Sequence, residues 1–155
     1  MNLPQAQAEP MSDPLEQHLV QDDARLVEIL ERTQRIAVLG ISPRPRRAGH
    51  VVPAYLAVTG YTIVGVNPAL EFIFDTVAYP NLSQIPDPVD LVLVFRRSEE
   101  LARHLQEILA LEPLPATVWT QLGVQDDAFA RSLASHSIDV VQNRCMKVEH
   151  ERLLW

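Results

Sequence analysis

Three observations predict an α/β fold in which helices cover both faces of a parallel sheet. Apolar runs recur at Ile36 to Ile41, Tyr61 to Val66 and Asp90 to Phe95, too continuous for strands with one face in water. Amphipathic segments of helical period separate them, and turn-forming residues follow each run. Strands joined in succession by helices pack side by side with right-handed crossovers.

The elements follow in order. Met1 to Asp13, with Pro4, Pro10, small polar residues and no apolar period, reads as a disordered tail, and residues 14–155 as a single domain. Leu26, Ile29 and Leu30 stand at helical spacing behind the capping residues Asp22 and Asp23, giving a first helix over 22–34. After the first strand, Val51, Val52, Tyr55 and Leu56 mark one face of a second helix that Gly60 closes. Beyond the second strand, 67–88 is rich in proline and turn residues and reads as an irregular crossover with at most a short helix. Leu101, Leu105, Ile108 and Leu109 form the core stripe of a helix behind the third strand, with Ser98 as its cap and Glu99 and Glu100 at its positive end. Thr117 to Gln121 is a fourth strand, Asp126 to His136 a helix and Ile138 to Gln142 a fifth strand.

Composition narrows the function. The 155 residues suit one domain, and folding buries roughly 70% of the extended-chain surface. No apolar run approaches the ~20 residues a bilayer requires, and the N-terminus lacks a basic start and apolar core of leader type, so a cytoplasmic location is expected. A single cysteine, Cys145, excludes an intrachain disulfide and fits a reducing compartment. Twenty acidic against 13 basic residues give a net charge of −7, which disfavours nucleic acid and anionic membranes as partners. Against that background two arginine groups stand out, Arg44, Arg46 and Arg47, then Arg96 and Arg97.

Both groups fall on one edge. In an open parallel sheet ligands bind beyond the carboxyl ends of the strands, where strand order reverses. The first strand is followed by Gly40, Ile41, Ser42, Pro43 and Arg44 through Arg47, the third by Phe95, Arg96 and Arg97. Gly40 permits a tight turn, Ser42 offers a hydroxyl, the next helix presents its N-terminus, and arginine supplies a planar fork of donors, which together describe a phosphate site. A nicotinamide-dinucleotide site would carry G-x-G-x-x-G here and an acidic residue at the end of the second strand. Instead Ser42 replaces the second glycine and Asn67 and Pro68 end that strand, so a small NAD(P)- or nucleotide-dependent oxidoreductase is the alternative reading. A phosphate loop with G-K-[ST] is absent, since the sole lysine is Lys147. The histidines, His18, His50, His104, His136 and His150, have no metal-ligand spacing, and His104 and His136 are expected to face solvent. Cys145 lies past the last strand between Arg144 and Lys147 and is read as packed; a module in which it forms a mixed disulfide with a thiol ligand is a further alternative. No catalytic constellation emerges.

Five ordered motifs carry a family resemblance: Ile36 to Pro43, Val66-Asn67-Pro68, Val94 to Arg97, Trp119 to Gly123, and Arg144 to His150. Over roughly residues 30–150 the chain resembles the small stand-alone CoA-binding proteins of bacteria, a family similar to the CoA-binding domain of the succinyl-CoA synthetase α subunit. The resemblance implies a Rossmann-like three-layer sandwich with a five-stranded parallel sheet and coenzyme A, or an acyl-CoA, at its carboxyl edge. It implies Gly40, Ser42 and Arg47 as the pyrophosphate cradle, Asn67 and Pro68 near the nucleotide end, and Phe95 and Arg96 flanking it. The pattern departs at Arg44 and Arg46, at Leu93 and at Asn143. Binding is carried over and catalysis is not, because the chain has no room for the synthetase's partner domains; an unidentified protein partner or a homodimer stays open.

Deleting Met1 to Asp13 is expected to leave the melting temperature unchanged, because that segment offers little apolar surface to bury; differential scanning fluorimetry reads this, and a fall of many degrees would show the segment packed on the domain.

Overall fold

A computed structural model describes residues 14–154, and the proposed tail 1–13 lies outside the described residues. Five helices alternate with the strands: α1 (Asp23–Arg32), β1 (Arg35–Leu39), α2 (Ala48–Val58), β2 (Thr62–Val66), a hairpin of β3 (Phe72–Ile73) and β4 (Thr76–Val77), β5 (Leu91–Val94), α3 (Leu101–Leu109), β6 (Thr117–Thr120), α4 (Asp127–Ala134), β7 (Asp139–Val141) and α5 (Met146–Leu154). Five strands form one sheet in the order β2-β1-β5-β6-β7, all neighbours parallel.

Strict alternation within the strands explains the continuous apolar runs. Ile36 and Val38 of β1, Leu91 and Leu93 of β5, and Trp119 of β6 face a core shared with Leu26, Ile29 and Leu30 of α1, Val52 and Leu56 of α2 and Met146 of α5. Their neighbours Ala37 and Leu39, Val92 and Val94, and Val118 face a second core with Leu101 and Ile108 of α3 and Phe129, Ala130 and Leu133 of α4. Each strand is thus buried on both faces, and the fold is a Rossmann-like three-layer sandwich. Asp caps start two helices, Asp22 accepting from the Arg25 N–H at 3.1 Å and Asp126 from that of Phe129 at 3.1 Å. At the amino edge, Asp90 accepts from the Gln34 and Arg35 N–H groups at 3.0 and 2.8 Å, away from the proposed site.

Several expectations are corrected. The 67–88 crossover contains a hairpin, turned by Phe74 and Asp75 at φ 52° and 60°; a phenylalanine in the left-handed region is not a recognised turn signal. Ser98 does not cap a helix, because 98–100 is a 3-10 turn, and its Oγ instead accepts the Gln125 N–H at 2.9 Å. Val51 is 40% exposed, while Pro53 takes its place on the buried face of α2. His104 does not face solvent: its side chain is 13% exposed and its Nδ1 lies 3.0 Å from Glu107. Residues 146–154, given no element from the sequence, form α5.

An ion cluster ties 14–22 to the far edge. Val20 N–H donates to the Val140 carbonyl at 2.9 Å, and buried Asp139 receives His18 at 2.7 Å, Arg32 at 2.7 Å and Arg25 at 3.0 Å. Burial raises the Asp139 pKa, but hydrogen bonds from Arg32 and His18 and the nearby Arg25 outweigh it and hold the carboxyl below its usual range. A depressed folded pKa contributes stability that is present above the unfolded value, near pH 4, and lost as pH falls through the folded one. Asp139→Asn should therefore cost about 1–2 kcal/mol at neutral pH, and thermal melts should show its gap from wild type narrowing between about pH 5 and pH 3; a gap independent of pH would remove this role.

Candidate functional site at the carboxyl edge

The chain leaves β1 toward β2 on one side, while β5 pairs on the other, so strand order reverses between β1 and β5. Each strand's ladder extends one residue past its end there: Gly40 N–H donates to Val66 O at 3.0 Å, Phe95 N–H to Leu39 O at 2.8 Å and Gln121 N–H to Val94 O at 3.1 Å. Those bonds fix the first residues of three loops in one row. Gly40 takes φ +87°, and a Cβ there would meet Phe95 O at 2.4 Å. Only glycine permits both the turn and the close approach.

The loop after Gly40 is anchored to the helix it enters. Pro53 lacks the N–H that would otherwise take up the Gly49 carbonyl within α2, and that carbonyl accepts from Ser42 N–H at 3.0 Å. His50 Nδ1 donates to Ser42 O at 2.8 Å, and Ser42 Oγ accepts from Arg44 N–H at 3.1 Å. The N-cap of α2 is Arg47, with no side-chain cap and no acid in the first turn, so the positive end of the helix opens toward the loop. In front lies a cavity of about 520 Å³ lined by Gly40, Ser42, Arg44, Arg47, Phe95 and Gln121, among others.

The proposed residues divide into two groups. Gly40, Ser42, Arg47 and Phe95 meet at this cavity. Asn67, Pro68 and Arg96 stand outside its lining. Asn67 is committed to structure, its Nδ2 donating to Ile41 O at 2.8 Å and its Oδ1 accepting from Ala69 N–H at 2.8 Å. Arg96 lies against Gly40, its Nε buried without a hydrogen-bond partner and 3.3 Å from where a Gly40 Cβ would sit. It is therefore not the freely solvated loop arginine that its position suggests.

Gln121 and Leu122 also line the cavity and were missed as site residues, although both directly follow β6 on the same edge; the sequence reading keeps Gln121 within the strand. Gln121 is 6% exposed, and its Oε1 has no hydrogen-bond partner. Arg44, a departure from the family pattern, lines the cavity beside Arg47. Cys145 is free and half-buried, packed on the core beside Met146 and lining a second cavity instead. Among the described residues no group of three or more His, Cys, Asp or Glu is placed to hold a metal, and no helix is long and apolar enough to cross a membrane.

An open parallel sheet with an arginine-lined, glycine-floored loop at its switch point defines a Rossmann-like ligand-binding domain. Within that class the chain belongs to the CoA binding domain family, which residues 34–151 match. It is 36% identical over 127 residues to the uncharacterized protein YneT of Bacillus subtilis, covering 82% of this chain and 93% of that protein. The structure of cell-free ID.343 from Thermus thermophilus is similar at 39% identity with a TM-score of 0.81, over 86% of this chain and 99% of that one. Prb, the PH1109 protein redesigned for binding, is similar at 33% identity with a TM-score of 0.82, over 88% and 94%.

Gly40→Ala should lower the melting temperature well beyond Gly123→Ala, since both glycines have positive φ, at 87° and 86°, but only Gly40 has backbone within contact of an added Cβ. The conformational cost common to both is about 1–2 kcal/mol. Equal losses would mean that the Phe95 contact relaxes freely.

Proposed function

We propose that this chain binds coenzyme A or an acyl-CoA at the carboxyl edge of its sheet, without catalysis of its own. The observation that carries the reading is the uncapped N-terminus of α2 opening on a cavity that Arg44 and Arg47 line, in a family of CoA binding domains. Free helix N–H groups and the macrodipole favour a pyrophosphate, and arginine forks add charge-assisted hydrogen bonds. Gly40 and Ser42 with Arg47 form the pyrophosphate cradle in this reading. Phe95 and Arg96 flank the nucleotide, and Asn67 and Pro68 lie near its far end, Asn67 holding the Ile41 carbonyl. A ligand this acidic approaches a protein of net charge −7, so the local arginines must supply the attraction. One free cysteine suits a cytoplasmic setting.

The fit is tested by thermal shift. Ligand that binds only the folded state raises stability by roughly 2.7 kcal/mol at a hundredfold excess over Kd, about 5–10 °C for this size. Coenzyme A should give that shift and NAD much less; Arg47→Glu and Arg44→Glu should largely abolish it while leaving the free protein folded, both positions being exposed. Added salt should weaken wild-type binding. A full shift in both variants would put the phosphates elsewhere, and a larger shift with NAD would favour the oxidoreductase alternative.

A further inference from the structure

We propose that the open edge of β2 pairs antiparallel with the same strand of a second copy, giving a two-fold dimer whose sheet runs on from one protomer into the next. The two edges of the sheet are finished differently. At β7 the edge is covered by 14–22, through the Leu19 bridge and the Val20 N–H on Val140 O. At β2 only the carboxyl end is covered: Tyr79 N–H donates to Gly65 O at 2.9 Å and Asn67 N–H to Tyr79 O at 2.9 Å. Among the described residues, Thr62 to Val64 has no strand on its outer side. Register decides which groups that leaves. Thr62 N–H donates to Gln34 O at 2.8 Å and Val66 O accepts from Gly40 N–H at 3.0 Å, so 62, 64 and 66 turn their backbone groups toward β1. Ile63 turns its N–H and C=O the other way, and neither has a partner among the described residues. A hydrogen-bonded pair of an antiparallel ladder is two residues that exchange both bonds. Ile63 facing the partner's Ile63 across a two-fold axis meets that condition, each N–H donating to the other's carbonyl.

Charge favours a second copy as the occupant. Val51 to Leu70 holds no Asp, Glu, Lys or Arg, the longest such run in the chain, and it spans most of α2 and all of β2. Two copies carrying −7 each repel, and this corner lets them meet with the least like-charge contact. Edge strands that must stay single are guarded by lysine, proline or an inward charge. The sequence of β2, Thr-Ile-Val-Gly-Val, has none of these. Exposed apolar side chains stand at both ends of the strand. Val58, 88% exposed, closes α2 just before β2, and the cross-strand pair Phe72 and Val77, 66% and 50% exposed, lies on the hairpin just after it. Antiparallel pairing swaps the ends, bringing Val58 of each copy toward the hairpin of the other, so one patch complements itself about the axis.

The test is sedimentation velocity over a dilution series of the full chain. Wild type should pass from the 17.4 kDa of one chain toward twice that mass as concentration rises. Added salt should strengthen the dimer, because screening removes repulsion and no ion pair holds the interface. Ile63→Pro removes the outward N–H and leaves the bonds to β1 in place, so both reciprocal bonds go and dimer affinity should fall about tenfold or more. Thr62→Lys, at an exposed position, should also lower it even though the change reduces the net charge of each chain. Its melting temperature in dilute solution should match wild type, and it carries the test if the proline variant fails to fold. A single-chain mass at every concentration would overturn the proposal and leave the edge to a strand of another protein. A dimer that weakens in salt, or one that both substitutions leave unchanged, would overturn it by placing the contact on another face.

Discussion

The parallel pairing of β1 with β5 is the constraint on which the rest depends. It places Ile36 to Leu39 inside the sheet, paired in parallel on both sides and with both faces buried. The ladder ends with Phe95 N–H on Leu39 O, and that bond brings the Phe95 backbone within contact of Gly40. Beyond it the chain must turn sharply and still present polar groups, which glycine at φ +87° permits. The loop, the start of α2 and the cavity are consequences of that closure.

Anchoring by backbone makes the loop a preorganised one. Ser42 is tied to Gly49 through a carbonyl that Pro53 leaves free, and His50 holds the Ser42 carbonyl from the first turn of α2. Proline inside a helix is usually a defect. Here the missing N–H releases an acceptor to the loop, and the ordering cost of that loop is met in folding. The cost of gathering Arg44 and Arg47 at one place is lowered by solvent, since both remain exposed.

The far edge works by different forces. β7 has no further strand beside it, and 14–22 covers it with a bridge at Leu19 and the Asp139 ion cluster. Covering an edge protects unpaired strand groups from other chains. It also raises a wall over the carboxyl end of β7, so the same segment that shields the sheet encloses the second cavity.

Much was legible from residue order because the signals are local. Apolar runs buried on both faces identify the strands, Asp22 and Asp126 announce two helices, and the rule that ligands sit past the carboxyl ends singles out the segments Gly40 to Arg47 and Phe95 to Arg97. What stayed hidden depends on distant partners. Phe74 turns a hairpin whose Ile73 packs in a core built by other elements, and Glu107, which His104 meets, also accepts the Leu82 N–H from 25 residues away. By itself the sequence determined the strands, the edge on which the arginines fall and the absence of a dinucleotide fingerprint, since each follows from spacing along the chain. Only the tertiary structure decided that Asn67 is spent on Ile41, that Arg96 lies half-buried against Gly40, and that Gln121 and Leu122 line the cavity in front of α2, because those roles arise from contacts between segments that spacing along the chain does not encode.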